Sequence, residues 1–94
     1  MTAISCVWGR SATADAERIR RYCTAAGWEL VAEASKAGIQ DGTLGWMLRT
    51  LDCTDAEGVI LAQEDVGGLE RELPDLWPRV RAVLEDAGIA VLSV

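Results

Sequence analysis

The sequence predicts an α/β domain in three layers, with a four-stranded parallel sheet covered by helices on both faces. Residues 58–62 read GVILA, a nearly uninterrupted apolar run with β-branched residues, which is typical of a strand buried on both faces. Two more short apolar runs, at residues 3–8 and 89–94, lie near the ends of the chain. Helical periodicity separates the runs, so the predicted order is β-α-β-α-β-α-β with right-handed crossovers.

The first half of the chain contains two predicted strands and one predicted helix. Residues 3–8 form the first strand, and Thr13 is the expected N-cap of the helix that follows. This helix ends at Gly27, which adopts the left-handed conformation without steric cost. Residues 28–34 are predicted to be the second strand, and residues 35–43, with two glycines and no periodicity, to be a loop.

The second half adds two helices and two strands. A helix is predicted over residues 44–53, with an apolar face formed by Leu44, Met47, Leu48 and Leu51. After the strand at residues 58–62, Gly67-Gly68 is expected to break the chain, and residues 69–73 to form a helical turn. The last helix should begin near Trp77-Pro78, because proline fits only in a first turn. It should end at Gly88, with its sheet-facing side formed by Val80, Val83, Leu84 and Ala87.

Composition narrows the classes of function. The 94 residues suit a single domain, residues 1–94, with a net charge of -6. Eight Arg and one Lys form no basic block, so autonomous nucleic-acid binding is not expected. The absence of His excludes a Cys/His zinc site, and we predict neither a metal nor a cofactor. Cys6, Cys23 and Cys53 form no C-x-x-C motif and are expected to be reduced.

The start of the chain and its hydropathy predict a cytoplasmic location. The first ten residues, MTAISCVWGR, lack the charged leader and long apolar stretch of a signal peptide. No apolar run approaches the roughly 18 residues that a membrane-spanning helix needs, so no membrane interaction is expected.

Most of the chain resembles the N-terminal catalytic domain of serine recombinases, the resolvase/invertase family. Residues 22–65 contain a helix ending in a Gly27-Trp28 step, a strand, a glycine-containing loop, a leucine-patterned helix and a buried strand. The closing stretch LEDAGIAVLSV is similar to the last helix and strand of that family. The resemblance implies a resolvase-like core with flavodoxin-like topology.

The first catalytic motif of that family, Tyr-x-Arg-x-Ser, is lost here. In strand register its three positions are occupied by Cys6, Trp8 and Arg10. A shift by one residue restores only the serine, Ser11. The loop that follows is also several residues shorter than is usual in the family.

The second motif, Asp-Arg-x-x-Arg, falls on residues 65–69, where only Asp65 matches. Phosphoryl transfer needs positive charge on the equatorial phosphate oxygens, and the loss of one such group commonly slows a reaction by a factor of about 100 or more. The resemblance therefore implies a catalytically inactive domain.

Polar residues at the carboxyl edge of the predicted sheet form a candidate ligand site, because open α/β sheets bind ligands at this edge. Its candidate residues are Gly9, Arg10, Ser11, Thr13, Gln63 and Asp65. Each has a simpler interpretation: Ser11 and Thr13 can cap a helix, Arg10 can be solvated, and Asp65 can be a turn residue.

The four tryptophans are assigned to two environments. Trp28 and Trp46 are expected to be packed, whereas Trp8 and Trp77 can be partly exposed, as aromatic residues at interfaces are. The core is the expected place for most of the four.

Three hypotheses of function follow. The first is a non-catalytic domain that binds itself or another protein in a regulatory or accessory role. The second is a divergent serine recombinase core, with Ser11 as nucleophile, Asp65 retained and Arg10 or Arg71 replacing the missing arginines. The third is a binder of phosphate or of a small molecule at the carboxyl edge of the sheet.

Overall fold

The chain folds into an α/β sandwich with flavodoxin-like topology, as predicted. The computed structural model describes residues 1–36 and 41–94. Its elements, in chain order, are β1 (Thr2–Trp8), α1 (Ala12–Ala26), β2 (Glu29–Lys36), α2 (Asp41–Thr54), β3 (Gly58–Leu61), α3 (Gln63–Glu72), α4 (Leu76–Asp86) and β4 (Ala90–Ser93). The strand order is β2-β1-β3-β4, and every pairing is parallel.

The two faces of the sheet bury separate apolar clusters, because successive side chains of β1 point to opposite faces. Ile4, Cys6 and Trp8 belong to a cluster that includes residues of α2, α3 and α4. Ala3 and Val7 belong to the other cluster, with residues of α1 and β3. The described helices therefore cover both faces, which confirms the three-layer prediction.

The central strands place the first turns of two helices at one edge of the sheet. β1 pairs with β2 on one side and with β3 on the other, and Cys6 lies opposite Leu61. Val59, Ile60 and Leu61 are fully buried, as the apolar run predicted. Because the strands are parallel, the start of α1 and the start of α3 lie at the same carboxyl edge.

The prediction that Gly67-Gly68 breaks the chain is wrong. Both glycines lie inside α3, so the crossover from β3 to β4 contains two helices instead of a helical turn and one helix. Each glycine costs a helix about 1 kcal/mol relative to alanine. Burial of Asp65, Gly68 and Leu69 on one side of α3 offsets that cost, since tertiary packing supplies most of the stability of short helices.

Two helix starts also differ from the prediction. The N-cap of α1 is Ser11, without a side-chain capping bond, and Thr13 lies exposed in the first turn instead of capping it. The second helix begins at Asp41 and not at residue 44, so the predicted loop is too long at that end. Residues 37–40 of that loop lie outside the described residues. Gly27, with φ of 82°, ends α1 as predicted.

The burial of α4 corrects several other expectations. Trp77 is 1% exposed and Trp8 is 4% exposed, so both lie in the core, which is the place expected for most of the tryptophans, and neither is partly exposed. The buried side of α4 passes through Trp77 and Leu84, and Val83 and Ala87 lie outside it and are exposed. Leu48, predicted on the buried face of α2, is also exposed.

Three further predictions concern the tryptophans, the cysteines and the hydropathy of the helices. Trp28 and Trp46 pack against the two clusters as expected. The three cysteines form no disulfide with one another; Cys6 and Cys23 are buried and Cys53 is exposed. No helix in the described part of the chain is long and apolar enough to cross a membrane.

Candidate functional site

A cleft of about 450 Å³ opens at the carboxyl edge of the sheet, between the end of β1 and one side of α3. We call it the carboxyl-edge cleft. It is lined by Trp8, Gly9, Glu64, Asp65, Gly68, Arg71 and Glu72.

Helical periodicity brings five of these residues together. Residues 64, 65, 71 and 72 each lie three or four positions from Gly68 on α3, so the five share one side of the helix. The extended N-cap Ala62 follows β3 directly and places Glu64 and Asp65 in the first turn. Carboxylates are favoured there because the N-terminus of a helix carries partial positive charge.

Asp65 is the most buried charged group of the cleft. It is 6% exposed, and its Oδ2 accepts a hydrogen bond of 3.3 Å from the backbone N–H of Trp8. Burial raises the pKa of Asp65 to about 6; the nearby Asp15 and Glu64 add to the rise, and the Trp8 N–H and Arg18 oppose it. The carboxyl group therefore retains a fraction of protonated form near neutral pH.

A second ionic cluster lies beside the cleft and joins α1 to α3. Arg18 Nη2 is 3.1 Å from Oδ1 of the buried Asp15, 3.3 Å from Oε2 of Glu64, and donates a hydrogen bond of 3.0 Å to the carbonyl oxygen of Val94. The contact between Arg18 and Asp15 is an ion pair without hydrogen-bond geometry. When the Asp15 carboxyl group is ionised, neither of its oxygens accepts a hydrogen bond from a described residue.

The carboxyl groups of Asp15 and Glu64 shift each other's pKa in opposite directions. Burial raises the pKa of Asp15, and the hydrogen bond and negative charge of Glu64 raise it further. The pKa of Glu64 is lowered by its own backbone N–H and by the hydrogen bond from Asp15. Asp15 is therefore the more readily protonated member of this pair, and Glu64 is the more readily ionised one.

The structure brings together two of the six predicted site residues, Gly9 and Asp65. The other four are exposed and do not line the cleft: Arg10, Ser11, Thr13 and Gln63. The other five cleft residues were not predicted as a ligand site, although Arg71 was considered as a replacement for a missing arginine. Four of them lie on α3, and their helical spacing is the signal in the sequence, but Gly67-Gly68 locally indicates a break and conceals it.

The chemistry of the cleft is that of a mainly acidic, partly aromatic site. It contains three carboxyl groups and one guanidinium group, a balance that opposes the binding of phosphate. Within the described residues no group of three or more Cys, Asp or Glu side chains could hold a metal ion.

We compared the chain with protein-family models, with curated proteins and with solved structures. None of them matches it. The resemblance to serine recombinases therefore stays a hypothesis that rests on the segments quoted above.

A second surface feature lies between α2 and α4, on the opposite side of those helices from the sheet. Leu48, Val80, Val83 and the side chain of Arg79 line a groove of about 140 Å³, which we call the α2–α4 groove. Val83 is 63% exposed and Leu48 is 37% exposed. Leu48 also borders a neighbouring depression of about 300 Å³, whose polar residues are Asp52 and Asp55.

Proposed function

We propose that this chain is a non-catalytic α/β domain that acts by self-association through the α2–α4 groove. The observation that carries the proposal is the exposure of adjacent aliphatic side chains, Leu48 and Val83, on two neighbouring helices whose other faces are already buried in the core. Contiguous exposed apolar surface of this kind is typical of contact sites between proteins.

The charges that flank the groove favour a second copy of the chain as its occupant. α2 and α4 each return the chain from the carboxyl edge to the amino edge before a parallel strand, so they run in the same direction. Arg79 therefore lies towards the carboxyl edge, and Asp52 and Asp55 lie towards the amino edge.

Two-fold packing makes this surface complementary to itself. If a two-fold axis passes between Leu48 and Val83, Arg79 of one copy lies opposite Asp52 and Asp55 of the other. The same residues then interact twice, as an isologous interface requires. The apolar centre supplies the affinity, and the charged ends set the orientation.

The charges at the carboxyl edge support the non-catalytic part of the proposal. The Arg18 guanidinium contacts the carboxyl groups of Asp15 and Glu64, so it is not directed at Ser11. Glu64, Asp65 and Glu72 line the cleft together with Arg71. Carboxylates oppose the negative charge that develops on a reacting phosphate, which disfavours the divergent recombinase hypothesis. Covalent attachment of recombination-site DNA that Ser11→Ala abolishes would contradict this part.

Sedimentation equilibrium of Val83→Asp tests self-association. We expect the native chain to form dimers, and Val83→Asp to raise the dissociation constant by roughly a hundredfold, because each interface would bury two unpaired carboxylates. Ala82→Asp is the matched control, since Ala82 is the exposed neighbour on α4 and does not line the groove. A native chain that stays monomeric at about 1 mM would rule out self-association.

Charge reversal tests the two-fold arrangement itself. Arg79→Glu alone and the pair Asp52→Arg with Asp55→Arg should each weaken the dimer, because like charges would face each other. The three changes combined should restore most of the lost affinity, since opposite charges again meet across the axis. If the combined variant is as weak as the partial ones, the two-fold arrangement is wrong.

A further inference from the structure

Arg71 presents a charged group to the carboxyl-edge cleft without an ion-pair partner among residues 1–36 and 41–94. Arg18, Arg20, Arg21 and Arg81 each pair with a carboxylate, and Arg71 does not. A Cβ atom on Gly67 would lie 3.3 Å from Arg71 Nη1, so the guanidinium extends back along α3 to the level of Gly67.

The carboxyl groups of Asp65 and Glu72 line the same cleft as Arg71. The Asp65 carboxyl group is buried, and the donor it has among the described residues is the Trp8 backbone N–H, at 3.3 Å. Glu72 is exposed and makes no ion pair with any described residue. The cleft therefore presents one cation and two carboxyl groups that do not neutralise one another directly.

The small exposed part of Trp8 lines the cleft, and its indole carries a second polar group without a partner among the described residues. Trp8 is nine-tenths buried and lines the cleft, and its Nε1–H has no hydrogen-bond acceptor among the described residues. A buried N–H without an acceptor destabilises a protein, and buried polar groups left in this way are uncommon outside functional sites.

We propose that the carboxyl-edge cleft binds a small zwitterion with an apolar side chain, of the kind that α-amino acids represent. Arg71 pairs with the carboxylate of the ligand, Asp65 and Glu72 accept from its ammonium group, and Trp8 packs against its apolar part. Phosphate is disfavoured by the carboxyl groups, and a simple amine leaves Arg71 unpaired. This site lies on β1 and α3, away from the α2–α4 groove, so it does not depend on self-association.

Three matched compounds test the proposal by NMR titration: L-phenylalanine, phenethylamine, which lacks the carboxylate, and hydrocinnamate, which lacks the ammonium group. We expect L-phenylalanine to shift the Trp8 indole N–H and the Gly9 and Gly68 amide signals in a saturable way. Each single-charge analogue should bind at least roughly tenfold more weakly, since each loses one ionic contact.

Variants assign the two charges. Arg71→Gln should reduce the affinity for L-phenylalanine to that of phenethylamine, and Asp65→Asn should reduce it towards that of hydrocinnamate. Arg49→Gln, an exposed arginine on α2 outside the cleft, is the control and should leave the titration unchanged.

Each contrary result overturns the proposal in a different way. Equal binding of hydrocinnamate and L-phenylalanine would indicate an anion site, and equal binding of phenethylamine would indicate a cation site. Inorganic phosphate that shifts the same signals more strongly would favour the phosphate hypothesis instead. No saturable shift with L-phenylalanine up to about 10 mM would show that the cleft is not such a site.

Discussion

At Asp65 the proposed ligand site needs a charged carboxyl group, whereas the stability of the fold favours a neutral side chain. Its carboxyl group is buried beside Asp15 and Glu64, and only Arg18 and the Trp8 N–H favour its charged form. The folded chain therefore binds the Asp65 proton more tightly than an unfolded chain does. A neutral residue of the same shape would fit this place better, which suggests that the carboxyl group is retained for binding.

The pH dependence of stability follows from the sign of this shift. The pKa of Asp65 rises from 3.8 to about 6 on folding, so protonation favours the folded state. The stabilisation of the fold by protonated Asp65 is complete below about pH 4 and is lost as the pH rises to about 6. Asp65→Asn is therefore expected to stabilise the fold at neutral pH by about 2 to 3 kcal/mol and to reduce the slope between these pH values. Urea denaturation across the pH range measures both effects.

The Asn side chain keeps an oxygen that can accept from the Trp8 N–H, so the substitution removes the charge and not the hydrogen bond. Asp86→Asn, at the exposed end of α4, is the control and should change the free energy of unfolding by less than about 0.5 kcal/mol. A loss of stability in Asp65→Asn at neutral pH would mean that the carboxylate supports the fold, contrary to this account.

At the scale of elements, two glycines have opposite roles in β3 and α2. A Cβ atom on Gly58 would lie 2.9 Å from Trp28 Cη2 and 3.3 Å from the carbonyl oxygen of Ala90, whereas a Cβ on Gly45 meets nothing within 4 Å. Gly58→Ala should destabilise the fold by about 1 to 3 kcal/mol through overpacking. Gly45→Ala should stabilise it by about 0.5 to 1 kcal/mol, because alanine favours the helix. Urea denaturation separates the two.

A double-mutant cycle identifies the cause of the Gly58 effect. Cη2 and Cζ3 of the Trp28 indole are the atoms that a Cβ on residue 58 would approach most closely, and phenylalanine lacks that outer ring. Trp28→Phe should therefore relieve part of the cost of Gly58→Ala. The double variant should lose less free energy of unfolding than the sum of the losses in the two single variants. Strict additivity would place the cost in the contact with the Ala90 backbone.

The limits of sequence-based prediction are clearest in α3. The apolar run of β3 and the terminating Gly27 were predicted correctly, because their local signals agree with their tertiary environment. Gly67 and Gly68 gave the opposite local signal, and only the burial of one side of α3 reverses it. The carboxyl-edge rule found Gly9 and Asp65. It could not find the other charged residues of the cleft, since their placement depends on α3 being a continuous helix.

At the scale of the whole molecule, Arg18 connects parts of the chain that lie on opposite faces of the sheet. It extends from α1 to Glu64 on α3 and to the carbonyl oxygen of Val94, which also accepts from the backbone N–H of Gln63. Among the described helices only α1 contributes to the cluster on its face of the sheet. Contacts at the sheet edge therefore hold α1 to the rest of the molecule in addition to the apolar cluster.

Arg18→Ala should accordingly destabilise the molecule and loosen the end of the last crossover. The pair with Glu64 is half-exposed and weak, but Asp15 is 1% exposed and loses its nearest cation. We expect a cost of about 1 to 2 kcal/mol, against less than about 0.5 kcal/mol for Arg21→Ala, which removes only a surface pair with Glu17. Hydrogen exchange should accelerate at the Gln63 and Val94 amides.

Asp15→Asn is the second variant that distinguishes the contact of Arg18 with Asp15 from its contact with Val94. If the cost of Arg18→Ala comes from the buried carboxyl group, adding Asp15→Asn should recover most of it, because no charge then remains buried. If the cost comes from the bond to Val94, Asp15→Asn should recover nothing, and exchange at Val94 should stay fast. Equal costs for Arg18→Ala and Arg21→Ala would show that Arg18 is an ordinary surface residue and that the apolar cluster alone holds α1 in place.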